Sequence, residues 1–138
     1  MNFELVLIQC HKIMQAPSYT AFVLGTEEKR FALYTSPHIG KNIHTHLAPQ
    51  TPLRPNTYDL VNSILGGFNI NIIQVVITNI HDDTIYFARL LVEQIIDKQR
   101  TILEIDSRPS DCLSLAIENN IPIYCTTDVL DRAIAVEE

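Results

Sequence analysis

Basic residues are scarce in this chain: ten Lys and Arg stand against 16 Asp and Glu among 138 residues, for a formal charge of -6. A protein that grips nucleic acid mainly through its phosphates carries a basic face, so the shortage excludes a tight non-specific binder. A hydrolase that works through bound cations tolerates it, because the ion reverses the local sign. Cysteine is also sparse. Cys10, Cys112 and Cys125 form an odd set without C-x-x-C spacing, which points to reduced, mostly buried thiols and away from a thiolate metal site. No apolar run approaches the ~20 residues of a membrane span, and MNFELVLIQ has no basic flank before its short apolar run. The expectation is a cytoplasmic protein without a membrane partner. Low complexity and strict repeats are absent too, and 46% hydrophobic content is enough for one sizeable core, so residues 1–138 are expected to form a single domain.

What is present begins with short apolar runs. Phe3 to Gln9, Thr20 to Gly25 and Arg30 to Thr35 read as strands, with Glu27 to Arg30 as a turn. Ser36-Pro37 opens a helix toward Leu47, and Pro49, Pro52 and Pro55 make a rigid extended connection. Asn71 to Ile80 is β-branched on both faces, as a central strand would be, and His81-Asp82-Asp83 turns into a strand over Thr84 to Val92. A short strand at Pro122 to Tyr124 and a helix from about Thr126 close the chain. The fold class expected is α+β, a mixed and mainly antiparallel sheet with three to four helices packed on it. His38, His44 and His46 fall on the first helix, where an H-x-H pair diverges, so they are expected on a solvated face.

The chemistry concentrates between Glu104 and Ala116. In QRTILEIDS, Leu103 and Ile105 face one way and Glu104 and Asp106 the other, the two carboxylates ~7 Å apart. Ser107-Arg108-Pro109 breaks that strand. Pro109 suits the first position of a helix whose apolar stripe is Cys112, Leu113, Ala116 and Ile117, with Asp111 in its first turn. A helix start can hold an anion, Arg108 can grip a phosphate through two parallel bonds, and carboxylates can hold a divalent metal. The same residues can also serve structure alone, with Asp111 complementing the dipole, Ser107 capping, and Arg108 pairing with Asp106 or Asp111. Cys112 reads as core.

A second segment repeats the theme. Arg54-Pro55 precedes Asn56 or Thr57 as a cap, then Leu60, Val61, Ile64, Leu65 and Phe68 form a helical stripe that Gly66-Gly67 ends. Asp59 precedes this stripe as Asp111 precedes the other.

The pair RPNTYDL (Arg54 to Leu60) and DSRPSDCLSLA (Asp106 to Ala116), in this order and spacing, resembles the bifunctional nuclease domain family, whose usual forms read close to RPxTHDL and DARPSDAxxLA. The resemblance covers nearly the whole chain, through YFARL (Tyr86 to Leu90), PIY (Pro122 to Tyr124) and the last helix. It implies a compact α+β domain in a family some of whose members act on both DNA and RNA, many bacterial members having no assigned role. It also implies Arg54, Thr57, Asp59, Asp106, Arg108, Ser110 and Asp111 as candidate site residues. Asp59, Asp106, Arg108 and Asp111 would be catalytic, with Asp106 and Asp111 foremost as metal ligands, and Arg54, Thr57 and Ser110 would bind substrate. Magnesium or manganese would be the ion, with no organic cofactor, nucleic acid the substrate, and a homo-oligomer one form of assembly. Two positions depart from the family pattern: Tyr58 stands where histidine is usual, and Ile39 where glutamate is usual. Tyrosine titrates near pH 10, so a natural general base or metal ligand is lost there. The competing expectations are a noncatalytic regulatory or anion-binding domain, and a structural lock or subunit interface built from the same Arg and Asp residues.

Overall fold

β-branched and aromatic runs that bury one face have to pair, and here they pair into one sheet. The computed structural model describes residues 4–48 and 54–137. In chain order the elements are β1 (Leu5–Gln15), β2 (Thr20–Gly25), β3 (Arg30–Thr35), α1 (Pro37–Leu47), α2 (Thr57–Gly67), β4 (Ile70–His81), β5 (Ile85–Ile96), β6 (Gln99–Ser107), α3 (Pro109–Asn119), β7 (Ile123–Thr126) and α4 (Thr127–Arg132). The strand order is β3-β2-β1-β7-β4-β5-β6, antiparallel throughout except where β7 runs parallel to β4. This is the α+β class expected, a mixed and mainly antiparallel sheet with four helices among the described residues. No described helix is long and apolar enough to cross a membrane.

Alternation assigns the faces. Ile123 and Cys125 of β7, Val75 and Ile77 of β4, and Ala88, Leu90 and Val92 of β5 share the covered face by register, and all are buried. Leu113, Cys112 and Ala116 of α3 belong to the same core cluster, and α3 lies between α1 and α2. That central position explains why Ser110, Ser114 and Leu115 are buried as well, beyond the stripe its sequence periodicity predicts. The sheet curls so far that Phe31 of β3 and Tyr86 of β5 stack with ring centroids 5.6 Å apart. Beyond α4 the chain returns to β3, where Ala135 bridges Phe31 and the Val136 N–H donates to the Arg30 carbonyl at 2.8 Å. The outer edge of β3 is thereby bridged at Arg30 and Phe31.

The structure corrects several expectations. β1 continues past Gln9 to Gln15, because β2 offers the polar HKIMQ segment a pairing partner, at the cost of an irregularity between Cys10 and Lys12. β5 runs four residues beyond Val92 into a two-residue turn at Asp97 and Lys98, both with positive φ. The apolar stripe proposed for α2 is only partly buried. Tyr58 is the residue buried there, Val61 and Leu65 are half-buried, and Leu60, Ile64 and Phe68 are exposed, because the helix is turned to lay Tyr58 against α3. Pro49 and Pro52 lie outside the described residues, as does Phe3.

Candidate functional site

The β6 to α3 junction forms as its residues dictate: extended backbone at Arg108 (φ -66, ψ 140), then Pro109 opening the helix. Arg108 is the N-cap residue but makes no side-chain cap; its guanidinium turns outward instead, 80% exposed. Its Nε donates to Asp111 Oδ2 at 2.9 Å, and no other hydrogen bond holds the group among the described residues. Asp111 accepts a second bond at its other oxygen, from the Tyr58 hydroxyl at 2.9 Å. The two Arg-Pro helix starts are therefore joined, α2 to α3, through a neutral hydroxyl and one carboxylate.

This arrangement sets the charges. Burial pushes the Tyr58 hydroxyl up to about 12; a bond with Ser114 lowers it and the bond with Asp111 raises it further. Tyr58 is therefore a protonated donor at neutral pH, and Asp111 is oriented between two donors. The hydrogen bond to the Asp111 carboxylate in turn raises the pKa of Arg108, so the guanidinium holds its proton more tightly. Ser114 Oγ donates to the Ser110 carbonyl at 2.8 Å beneath the junction, and Ser110 itself is buried.

The remaining sequence candidates separate. Asp59 closes a capping box: its Oδ2 accepts from the Asn56 N–H at 2.8 Å while its own N–H donates to Asn56 Oδ1 at 2.9 Å, so Asn56 is the cap. Arg54 and Thr57 are exposed at the entry to α2. Asp106 is exposed on the outer face of β6, opposite Arg89 in register, and no hydrogen bond or ion pair holds it among the described residues. The three aspartates thus have three different surroundings. Among the described residues no three His, Cys, Asp or Glu side chains cluster closely enough to hold a metal ion. Asp59, Asp106 and Asp111, expected to share a divalent ion, form no such group.

Two shallow hollows meet at Arg108 and Pro109. One reaches Phe87 and Asp106; the other reaches Tyr34 and Thr35. Phe87 and Tyr34 are both exposed, so each hollow that Arg108 lines also offers an exposed aromatic ring. Sequence reasoning passed over both, although the alternation that puts Tyr86 and Ala88 inward also puts Phe87 outward. It also passed over Glu118, whose side chain is fully buried, 3.6 Å from His46 Nδ1, and without a hydrogen bond at either oxygen among the described residues. No local pattern marks that residue, because α1 and α3 bury it jointly. Cys112 is buried as expected, and burial pushes its thiol up to about 11. Ile39, at the other departure from the family pattern, is a core residue of α1.

Comparison with known proteins gives the context. A family model described as Bifunctional nuclease domain matches residues 22–138, from within β2 to the C-terminus. Uncharacterized proteins from two strains of Mycobacterium tuberculosis are 28% identical to the chain over 82 residues, 59% of this chain and 45% of theirs. The match thus spans less than half the length of those relatives.

Proposed function

Because the chain belongs to the bifunctional nuclease domain family, we propose that it is a phosphodiester hydrolase for single-stranded DNA or RNA, with the Arg108 corner as its phosphate site. The observation that carries this reading is the clamped guanidinium. Asp111 holds Nε, which leaves the two terminal nitrogens without a hydrogen-bond partner among the described residues, and Arg108 and Asp106 line one hollow. A guanidinium so held binds phosphate through two parallel bonds and offsets the charge that develops as water adds. Asp106 is the free carboxylate there and takes the proton of the attacking water. The new bond joins water oxygen to phosphorus, the bond to the departing sugar oxygen breaks, and that oxygen takes a proton from solvent. Asp111 and Tyr58 are positioning residues. Arg54 offers a further phosphate contact, Thr57 an exposed hydroxyl beside it, and Ser110 supports the corner from below. Phe87 and Tyr34 give bases a surface to stack on, which favours unpaired strands.

The test is hydrolysis of single-stranded and duplex DNA and of RNA, with magnesium, manganese or chelator, by wild type, Asp106→Asn and Arg108→Ala. Loss of a general base is expected to slow cleavage roughly 10²- to 10⁴-fold in Asp106→Asn, with the fold intact. Cleavage unchanged in both variants would sink the assignment. Tyr58, protonated where a base would be useful, favours a second reading: a noncatalytic anion-binding site. That reading stands if oligonucleotide binding depends on Arg108 while no condition yields cleavage.

A further inference from the structure

The sheet has two edge strands, β3 and β6. Residues 135–136 bridge β3 at Arg30 and Phe31, whereas no described residue pairs with the outer side of β6. An open edge of nine regular residues is a template for another strand unless proline, a bulge or unmatched charge blunts it. QRTILEIDS contains no proline, its pairing with β5 shows no irregularity, and its charges, Arg100, Glu104 and Asp106, are of both signs. Ile102 and Leu103 at its middle are exposed on opposite faces.

The register decides what the edge can accept. Asp97 and Lys98 form a two-residue loop, so Ile96 and Gln99 beside it make a hydrogen-bonded pair. By alternation the odd residues of β6 bond to β5, and Arg100, Ile102, Glu104 and Asp106 direct their N–H and C=O groups outward. Antiparallel pairing of β6 with a copy of itself about a two-fold axis at Ile102 satisfies those groups. It sets Ile102 against Ile102, Arg100 against Glu104 and Lys98 against Asp106. Every opposed charge is then of opposite sign. On each copy Glu93 already pairs with Arg100 and Arg89 with Glu104, so the charges alternate across four strands.

We propose that β6 joins a second copy of this chain, giving a two-fold dimer with one continuous sheet centred on Ile102. The interface then reaches the candidate site, because Lys98 of the partner subunit lies opposite Asp106. The test is sedimentation velocity over a range of concentrations. Wild type is expected at twice the 15.7 kDa chain mass. Ile102→Pro removes only an outward N–H, and Ile102→Glu keeps the backbone but opposes two carboxylates; each is expected to raise the dimer Kd roughly tenfold or more while circular dichroism is unchanged. In the register stated, Ile102→Cys cross-links under mild oxidation, since opposed residues of a hydrogen-bonded pair lie about 5.5 Å apart, within disulfide reach, and Thr101→Cys does not. A wild type that is monomeric throughout, a dimer unmoved by both Ile102 variants, or equal cross-linking at 101 and 102 would overturn the proposal.

Discussion

At the scale of single residues, Tyr58 has the widest consequences. Its hydroxyl is the only side-chain bond among the described residues that ties α2 to Asp111. Tyr58→Phe keeps the ring and removes the bond to a charged acceptor, so a loss of about 1.5 kcal/mol is expected in urea unfolding. The same variant frees one oxygen of Asp111 and loosens its hold on Arg108, so weaker oligonucleotide binding should accompany the lost stability. Glu118 makes a prediction of opposite kind. Burial raises its pKa above the ordinary glutamate value, with His46 opposing and Asp59 adding to the rise. The folded state therefore prefers the protonated acid: the stabilisation is fully present below the unfolded pKa and is lost as pH rises through the folded one. Glu118→Gln cannot ionise. The stability of wild type relative to Glu118→Gln should fall as pH is raised from 4 toward neutrality, and unfolding midpoints that differ by the same amount at every pH would refute this.

At the scale of elements, two helix placements depend on small contacts. α1 lies against β2 at Gly40, whose N–H donates to Thr20 Oγ1 at 3.0 Å; a Cβ there would stand 2.8 Å from the same oxygen and 2.9 Å from Thr20 Cγ2. Thr20 is itself buried and bonded to the Pro37 carbonyl, so it cannot swing away. Gly40→Ala should destabilise by roughly 1 to 3 kcal/mol, the range for overpacking, although alanine is the better helix former. α2 depends on its capping box. Asp59→Ala leaves the Asn56 N–H without its acceptor and should cost about 1 kcal/mol in chemical unfolding.

At the scale of the whole molecule, a net charge of -6 limits how nucleic acid can be held. With Arg108 and Arg54 as the phosphate contacts, the slope of log K against log salt for single strands should be near -1.4, at about -0.7 per phosphate neutralised. Fluorescence anisotropy of a labelled oligonucleotide across salt concentrations measures it. A slope several times steeper would mean a basic surface other than this corner.

Sequence alone determined the local elements. Thr20 to Gly25, Arg30 to Thr35, the helix from Pro37 and the Ser107-Arg108-Pro109 break all stand where periodicity and capping put them, because those signals come from residues near one another in the chain. The recurrence of Arg-Pro and Asp at two helix starts was legible for the same reason. Tertiary structure decided which of those residues meet. Asp111 joins Arg108 three residues away but also Tyr58, 53 residues away, while Asp59 turns back on its own cap and Asp106 shares a hollow with Arg108 without bonding to it. Each of these outcomes depends on how α2 and α3 lie against the sheet, and that orientation comes from the packing of a shared core, to which no short stretch of sequence holds the key.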